Sequence, residues 1–465
     1  MTPLVPRATL ALALLLLPPG AGAWAADVRR GWDAVPAILA RIKPPTFPAR
    51  DCLITDHGAM ARAEADNTEA IRRAIAACHA AGGGRVVVPA GVFPTGAIHL
   101  KSKVNLHLEE GATLRFFPDP AKYLPVVFTR FEGTEHMGYS PLVYAFEQED
   151  VAVTGRGTLD GGASPENWWK WKRGPDAASI KRLLDMNERR TPVSDRVFGE
   201  GHYLRPSFIQ PYRCRNVLIE GVTIRNSPMW EIHPVLCTNV TVRGVNVVSH
   251  GPNNDGCNPE SSRDVLIEDS VFDTGDDCIA IKSGRNEDGR RLATPSEDIV
   301  IRGCTMKDGH GGVVMGSEVS GGVRNVFVER CRMDSPHLDR ALRFKSNARR
   351  GGVVENVYMR DVEIGRVAEA VVTVDFLYET GADGPHRPVV RNVVLERVTS
   401  RASPRLLWVR GFEGAVIDGL RFFDSVFRGL EGGEVLDHAG LVELRNVTLE
   451  PATKTKSLNS RSSAP

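Results

Sequence analysis

Three carboxylates, one imidazole and two cations fall in short glycine-rich clusters spaced along about ninety residues of the chain. Asp255 closes Asn253-Asn254-Asp255, Asp276 and Asp277 follow Gly275, His310 stands between Gly309 and Gly311, and Arg343 and Lys345 flank Phe344. The intervals are 21 residues from Asp255 to Asp276, 34 from Asp276 to His310 and 33 from His310 to Arg343. Carboxylates held together at different protonation states can donate a proton to a leaving oxygen while activating a water. Asp276 and Asp277 repel when both are charged, which raises one of them and supplies the acid. Arg343 and Lys345, two apart, share one face of a strand and make a clamp for a ligand carboxylate. Lys282, Arg285, Arg290 and Arg291 add positive charge just after the acidic pair.

For these clusters to meet, each interval must return the chain to the same place, and the sequence carries such a repeat. Asn216-Val-Leu-Ile-Glu-Gly-Val-Thr-Ile224 recurs from Asn239, Asp264, Asp298, Asn325 and Asn356, with later copies from Asn392 and Ala415 and a degenerate one near Leu441. A weaker pair stands upstream, at Val104 and Asp150. Alternation at period 2 predicts strands, and repeat lengths from 23 residues upward predict a solenoid. No long amphipathic helix is expected between copies. The fold class is therefore all-β: a single-stranded right-handed parallel β-helix, one continuous domain in which residues one coil apart are neighbours.

Neighbours in a regular strand point to opposite faces, so Asp276 and Asp277 reach one cleft only if the backbone kinks, which Gly275 allows. Isolated Asp-Gly pairs are ordinary turn chemistry. Their alignment with His310 and with Arg343 and Lys345 in successive repeats is what argues for a site.

The ends of the stack need covers. Asp66-Asn67-Thr68-Glu69 opens a short capping helix, with Asp66 or Asn67 as N-cap and Ile71, Ile75 and Cys78 as its apolar stripe; Gly82-Gly83-Gly84 ends it. Residues 1–25 read as a secretory signal peptide, with Arg7, an apolar run from Leu10 to Leu17 and Ala23-Trp24-Ala25 for cleavage. Residues 26–50 are a leader, 51–450 the β-helix and 451–465 a polar tail. Localisation is expected to be secreted or periplasmic, with no membrane contact after signal cleavage. Eight cysteines permit disulfides in an exported protein, but Cys214 with Cys237 and Cys304 with Cys331 occupy equivalent repeat positions, which favours stacked free thiols over bridges. Lys+Arg 58 against Asp+Glu 57 leaves no global basic field, which argues against a nucleic-acid partner. A monomer is expected.

The four clusters resemble the short blocks of the polygalacturonases, the pectin-degrading glycoside hydrolase family 28: Asn-Thr-Asp, Gly-Asp-Asp, Gly-His-Gly and Arg-Ile-Lys. Asn254 stands for Thr and Phe344 for Ile; neither change removes a charge. The resemblance implies hydrolysis of α-1,4-galacturonosidic bonds with inversion, without metal or cofactor, on an acidic polysaccharide, polygalacturonate. It implies Asp276 as general acid, Asp255 and Asp277 as the pair that activates water, and His310 as support for the acid. Asn253, Lys282, Arg343 and Lys345 are then expected to bind substrate, with Trp230, His233 and Tyr378 as further subsite residues. A long insertion between Gly161 and Pro206 carries Trp168-Trp169-Lys170-Trp171-Lys172, which either walls the cleft, favouring exo attack, or packs on the coils. A rhamnogalacturonan or xylogalacturonan hydrolase, a calcium-dependent pectate lyase and a non-catalytic polysaccharide-binding β-helix are the competing readings.

Overall fold

The computed structural model describes residues 30–452, so the signal segment and most of the polar tail lie outside the described residues. The repeat template is a coil. Strands Arg215–Glu220, Thr238–Arg243, Arg263–Glu268, Ser296–Arg302, Val323–Glu329, Val353–Arg360 and Val389–Glu396 pair in parallel, each with the next. The upstream pair belongs to the same file, since Glu149–Gly155 bonds to Val104–Leu108 on one side and to Arg215–Glu220 on the other. A shorter strand after each bend forms a second file, and a third face carries a six-stranded sheet from Ile279–Ile281 to Val435–Asp437. The expected right-handed parallel β-helix is the architecture.

Why each template begins with Asn or Asp is visible in the backbone. Asn216, Asn239, Asp264, Asp298, Asn325, Asn356 and Asn392 all have φ between 54° and 61°, the left-handed region that these short polar side chains tolerate best. Their side chains form a ladder along the axis: Asn239 donates to Asn216 at 2.7 Å, Asn356 to Asn325 at 3.1 Å and Asn392 to Asn356 at 2.8 Å. Asp264 and Asp298 have no amide to donate, and there Arg41 steps in, bonding Asp264 at 2.8 Å and Asp298 at 2.7 Å.

Arg41 belongs to the leader, which is part of the fold. Helix α1 (Val35–Arg41) lies across the outer face of the stack. Trp32, Val35, Ile38 and Ile42 pack on Leu266, Val300, Phe327, Tyr358 and Val394, one outward apolar residue from each of five successive coils. The expected cap is helix α2 (Thr68–Ala80), which buries Ile71, Ile75 and Cys78. Asn67 is the N-cap residue, and Asp66 just before it accepts from the Thr68 N–H at 3.0 Å. Asn67 is buried, with its side chain bonded to Met60 and to the Pro94 carbonyl.

The insertion corrects one expectation, for it contains a 14-residue helix, α3 (Pro175–Glu188). It docks against a second, shorter helix between coils, α4 (Asn286–Leu292), where the Asn187 amide donates to the Arg285 carbonyl at 3.0 Å. All eight cysteines are free thiols, and Cys214, Cys237, Cys304 and Cys331 are buried in the core as the stacked reading expected.

Candidate active site

The clusters converge on the face that carries the six-stranded sheet. Oxygens of Asp255, Asp276 and Asp277 lie within 4.8 Å of one another. The strand Val271–Thr274 ends just before Gly275, and the bend turns both neighbouring aspartates into one cluster. Gly275 serves by close approach, since a Cβ there would stand 2.5 Å from the Gly251 carbonyl oxygen. Gly309 does the same one coil on, where a Cβ would meet the Asp276 carbonyl oxygen at 2.6 Å.

Each carboxylate has its own surroundings. Asp276 accepts from the Asp277 N–H at 3.0 Å and lies 3.0 Å from His310 Nδ1, while the His310 N–H donates to the Asp276 carbonyl at 3.1 Å. Asp277 is fully buried and takes Lys345 Nζ at 2.6 Å and Arg343 Nη1 at 3.4 Å. Asp255, 2% exposed, accepts from the Asn258 amide at 2.8 Å and lies 3.5 Å from Lys282 Nζ. The set is close enough to chelate a cation, but Lys282 stands at Asp255, Lys345 and Arg343 at Asp277, and His310 at Asp276.

The surroundings push the carboxylates in different directions. Burial, with the charge of Asp276 beside it, pushes Asp255 up to about 8. Burial also acts on Asp276, but the His310 hydrogen bond and the charges of Lys345 and Lys282 outweigh it and hold Asp276 well below the usual carboxylate range. In exchange Asp276 raises His310 above its ordinary value. The surroundings thus favour the ionised form of Asp276 and the protonated form of His310, while burial favours the protonated form of Asp255.

Of the expected ligand-binding residues, Arg343, Lys345 and Tyr378 come together: the Tyr378 ring lies 6.0 Å from the Arg343 guanidinium and 5.5 Å from Lys345 Nζ. Asn253 borders the cluster, its side-chain oxygen accepting from Arg205 at 2.7 Å. Three of the expected residues, Lys282, Trp230 and His233, are buried. Lys282 is 3% exposed and spends its ammonium on Glu318 at 3.1 Å, the Gly316 carbonyl at 3.1 Å and Asp255, so it orients a carboxylate and offers no open face. Trp230 lies buried beneath it, 4.4 Å from ring centroid to Nζ, with its edge on His233, which is itself buried and bonded to Glu260. The expected extra cations are also paired, Arg285 with Glu132, Arg290 with Glu287 and Arg291 with Glu135.

Sequence reasoning missed Asn258, Glu318, Arg205 and the weight of Asn254. Asn254 is fully buried, accepts from Ser249 and the Gly251 N–H, and donates to the Ser227 and Met229 carbonyls, which fixes the turn that presents Asp255. A polar residue inside a glycine-rich turn was the signal for Asn254. Glu318 and Arg205 come from distant loops and left none.

In the insertion Trp168 and Trp171 pack on Tyr123 and Tyr139 over the coils. Trp169 donates its indole N–H to the Ser227 carbonyl and lies so close to Gly251 that a Cβ there would meet its ring at 2.3 Å. The packing reading therefore holds for two of the three tryptophans, and Trp169 borders the turn before Asp255 on its N-terminal side.

Comparison with known proteins gives this arrangement a family. The sequence model of glycosyl hydrolases family 28 matches residues 199–409, which hold all four clusters. A hyperthermoactive exopolygalacturonase from Thermotoga maritima superposes with a TM-score of 0.87 at 44% identity, over 90% of this chain and 96% of that one. The chain belongs to glycosyl hydrolase family 28. Among curated relatives, a "Probable polygalacturonase" of Vitis vinifera is 30% identical over 67% of this chain and 60% of its own. An exo-poly-alpha-D-galacturonosidase of Dickeya chrysanthemi is 29% identical over 70% of this chain and 57% of its own. The chain thus spans less than two thirds of the length of these two curated relatives.

Proposed function

We propose that this family 28 protein hydrolyses α-1,4-galacturonosidic bonds of polygalacturonate from the chain end. The observation that carries the reading is the buried trio Asp255, Asp276 and Asp277 beside the Arg343–Lys345 pair. Oxygens within 4.8 Å of one another fit a single water at about 2.8 Å from each, closer than inverting acids and bases generally stand. Asp255 and Asp277 activate that water, and Asp276 protonates the leaving oxygen. The proton reaches Asp276 on binding: the sugar carboxylate draws Lys345 from the cluster, which removes one of the charges that keep Asp276 ionised, and Asp255 gives its proton up. Inversion follows from water attacking directly, with no covalent intermediate.

Exo attack is supported by the insertion bordering the cleft on one side, and by the names of the Thermotoga and Dickeya relatives. Export belongs to the same proposal; no helix among the described residues is long and apolar enough to cross a membrane.

A time course on unmethylated polygalacturonate tests the reading. Mono- or digalacturonate should accumulate while viscosity falls slowly, with no rise in ultraviolet absorbance and no loss on chelation. Rising absorbance would mean a lyase, and a fast viscosity drop an endo-enzyme. Asp276→Asn should lower turnover by about a thousandfold or more, in the range seen when a general acid is lost, without a change in fold. Product only from rhamnogalacturonan or xylogalacturonan would move the substrate within the family. An active Asp276→Asn variant would refute the acid assignment.

A further inference from the structure

Strand register carries the site further along the axis than the four clusters. Arg343 stands over Thr373, Thr373 over Trp408, and Trp408 over Val435, in one outward file of the six-stranded sheet. Leu407 and Val409 on either side of Trp408 point into the core and are buried, while Trp408 is half-exposed. Trp408 therefore follows the Arg343 position by two coils, roughly 10 Å at the spacing of paired strands, which is the reach of one or two further sugar units.

Guanidinium groups surround this ring, with Arg340, Arg405 and Arg410 at 5.4, 5.8 and 5.3 Å from its centroid. None of them caps it as Arg360 caps the leader's Trp32, at 3.8 Å. Arg340 is paired with Asp339 and Glu369, and Arg410 with Asp375. Arg405 has no carboxylate within ion-pair distance among the described residues; its Nε donates to the Gly433 carbonyl at 3.0 Å. An aromatic face with a cation beside it repeats the chemistry of Tyr378 with Arg343 and Lys345.

We propose that Trp408 and Arg405 bind a galacturonate unit of the departing chain beyond the Arg343–Lys345 clamp. The C–H face of the sugar lies on the indole and its carboxylate takes the free side of the Arg405 guanidinium. The direction agrees with the insertion, which borders the cleft at the opposite, N-terminal end. This inference rests on the galacturonate reading above.

Substrate length is the test. Trp408→Ala and Arg405→Gln should each lower kcat/KM on polygalacturonate by roughly tenfold, the scale of one stacked or charge-assisted contact. On digalacturonate, too short to reach Trp408, both should stay within about twofold of wild type on the same scale, and Trp408→Phe should recover most of the loss on polymer. An equal loss on both substrates, or none on polymer, overturns the proposal. A wild type that cleaves no galacturonide would instead fail the functional reading. The subsite is then judged by affinity electrophoresis in polygalacturonate: retardation of Asp276→Asn that Trp408→Ala removes upholds it, and unchanged retardation refutes it.

Discussion

Lys345 Nζ lies 2.6 Å from Asp277 Oδ2, so the cation expected to hold a substrate carboxylate is held by the carboxylate proposed to activate water. Binding is then an exchange of one carboxylate for another. Lys345→Gln should raise KM for digalacturonate by about tenfold or more, the worth of one charge-assisted hydrogen bond, and lower kcat as well, because Asp277 loses its partner. Steady-state kinetics decide; an unchanged KM would mean that the ammonium serves Asp277 alone.

The proton on Asp255 sets an alkaline limit. With Asp255 pushed up to about 8, the cluster keeps its transferable proton through neutral pH. The kcat/KM profile should fall as pH rises through about 8, because the protonated form is the active one. A profile that climbs across that range would place the essential proton elsewhere.

The same burial makes Asp255 a stability liability. Its carboxyl is raised in the folded protein and titrates near 4 when unfolded, so between those values the folded state binds the extra proton and stability falls as pH rises. Asp255→Asn should therefore melt a few degrees above wild type at pH 8 and show no gain near pH 4, while being inactive. Thermal melts at the two pH values check the sign, and a gain at pH 4 would contradict it.

Trp32 anchors the leader on Phe327 and Tyr358, with ring centroids 5.4 and 6.4 Å away. Trp32→Ala should cost about 3–5 kcal/mol, as buried tryptophans generally do, and leave kcat/KM unchanged. Urea titration and kinetics on one preparation test this; loss of activity in the folded variant would tie the leader to the site.

The coil was readable because Asn216, Asn239 and their counterparts carry two duties, the left-handed bend and the ladder, that few residues other than Asn and Asp can perform. The clusters were readable because a solenoid turns sequence intervals into neighbours. Charge location was not. Lys282 looks like a ligand-binding cation until Glu318, 36 residues on, claims its ammonium, and Asp276 looks like the protonated partner until His310, Lys345 and Lys282 are summed around it. Partnerships between loops leave no periodic trace, and the leader's fit lies in shape, with Trp32 and Ile38 resembling any other apolar pair.

Arg41 reaches Asp264 across 223 residues and Asp298 across 257. Helix α1 is made early in synthesis, yet the groove that receives it is complete only once the strand Val389–Glu396 has joined the stack. The full docking surface therefore requires five coils to be stacked first, while contacts between neighbouring coils need only one another. The helix has no complete seat until the coil that carries Val394 is in place, and its docking ties residues 32–42 to coils hundreds of residues away.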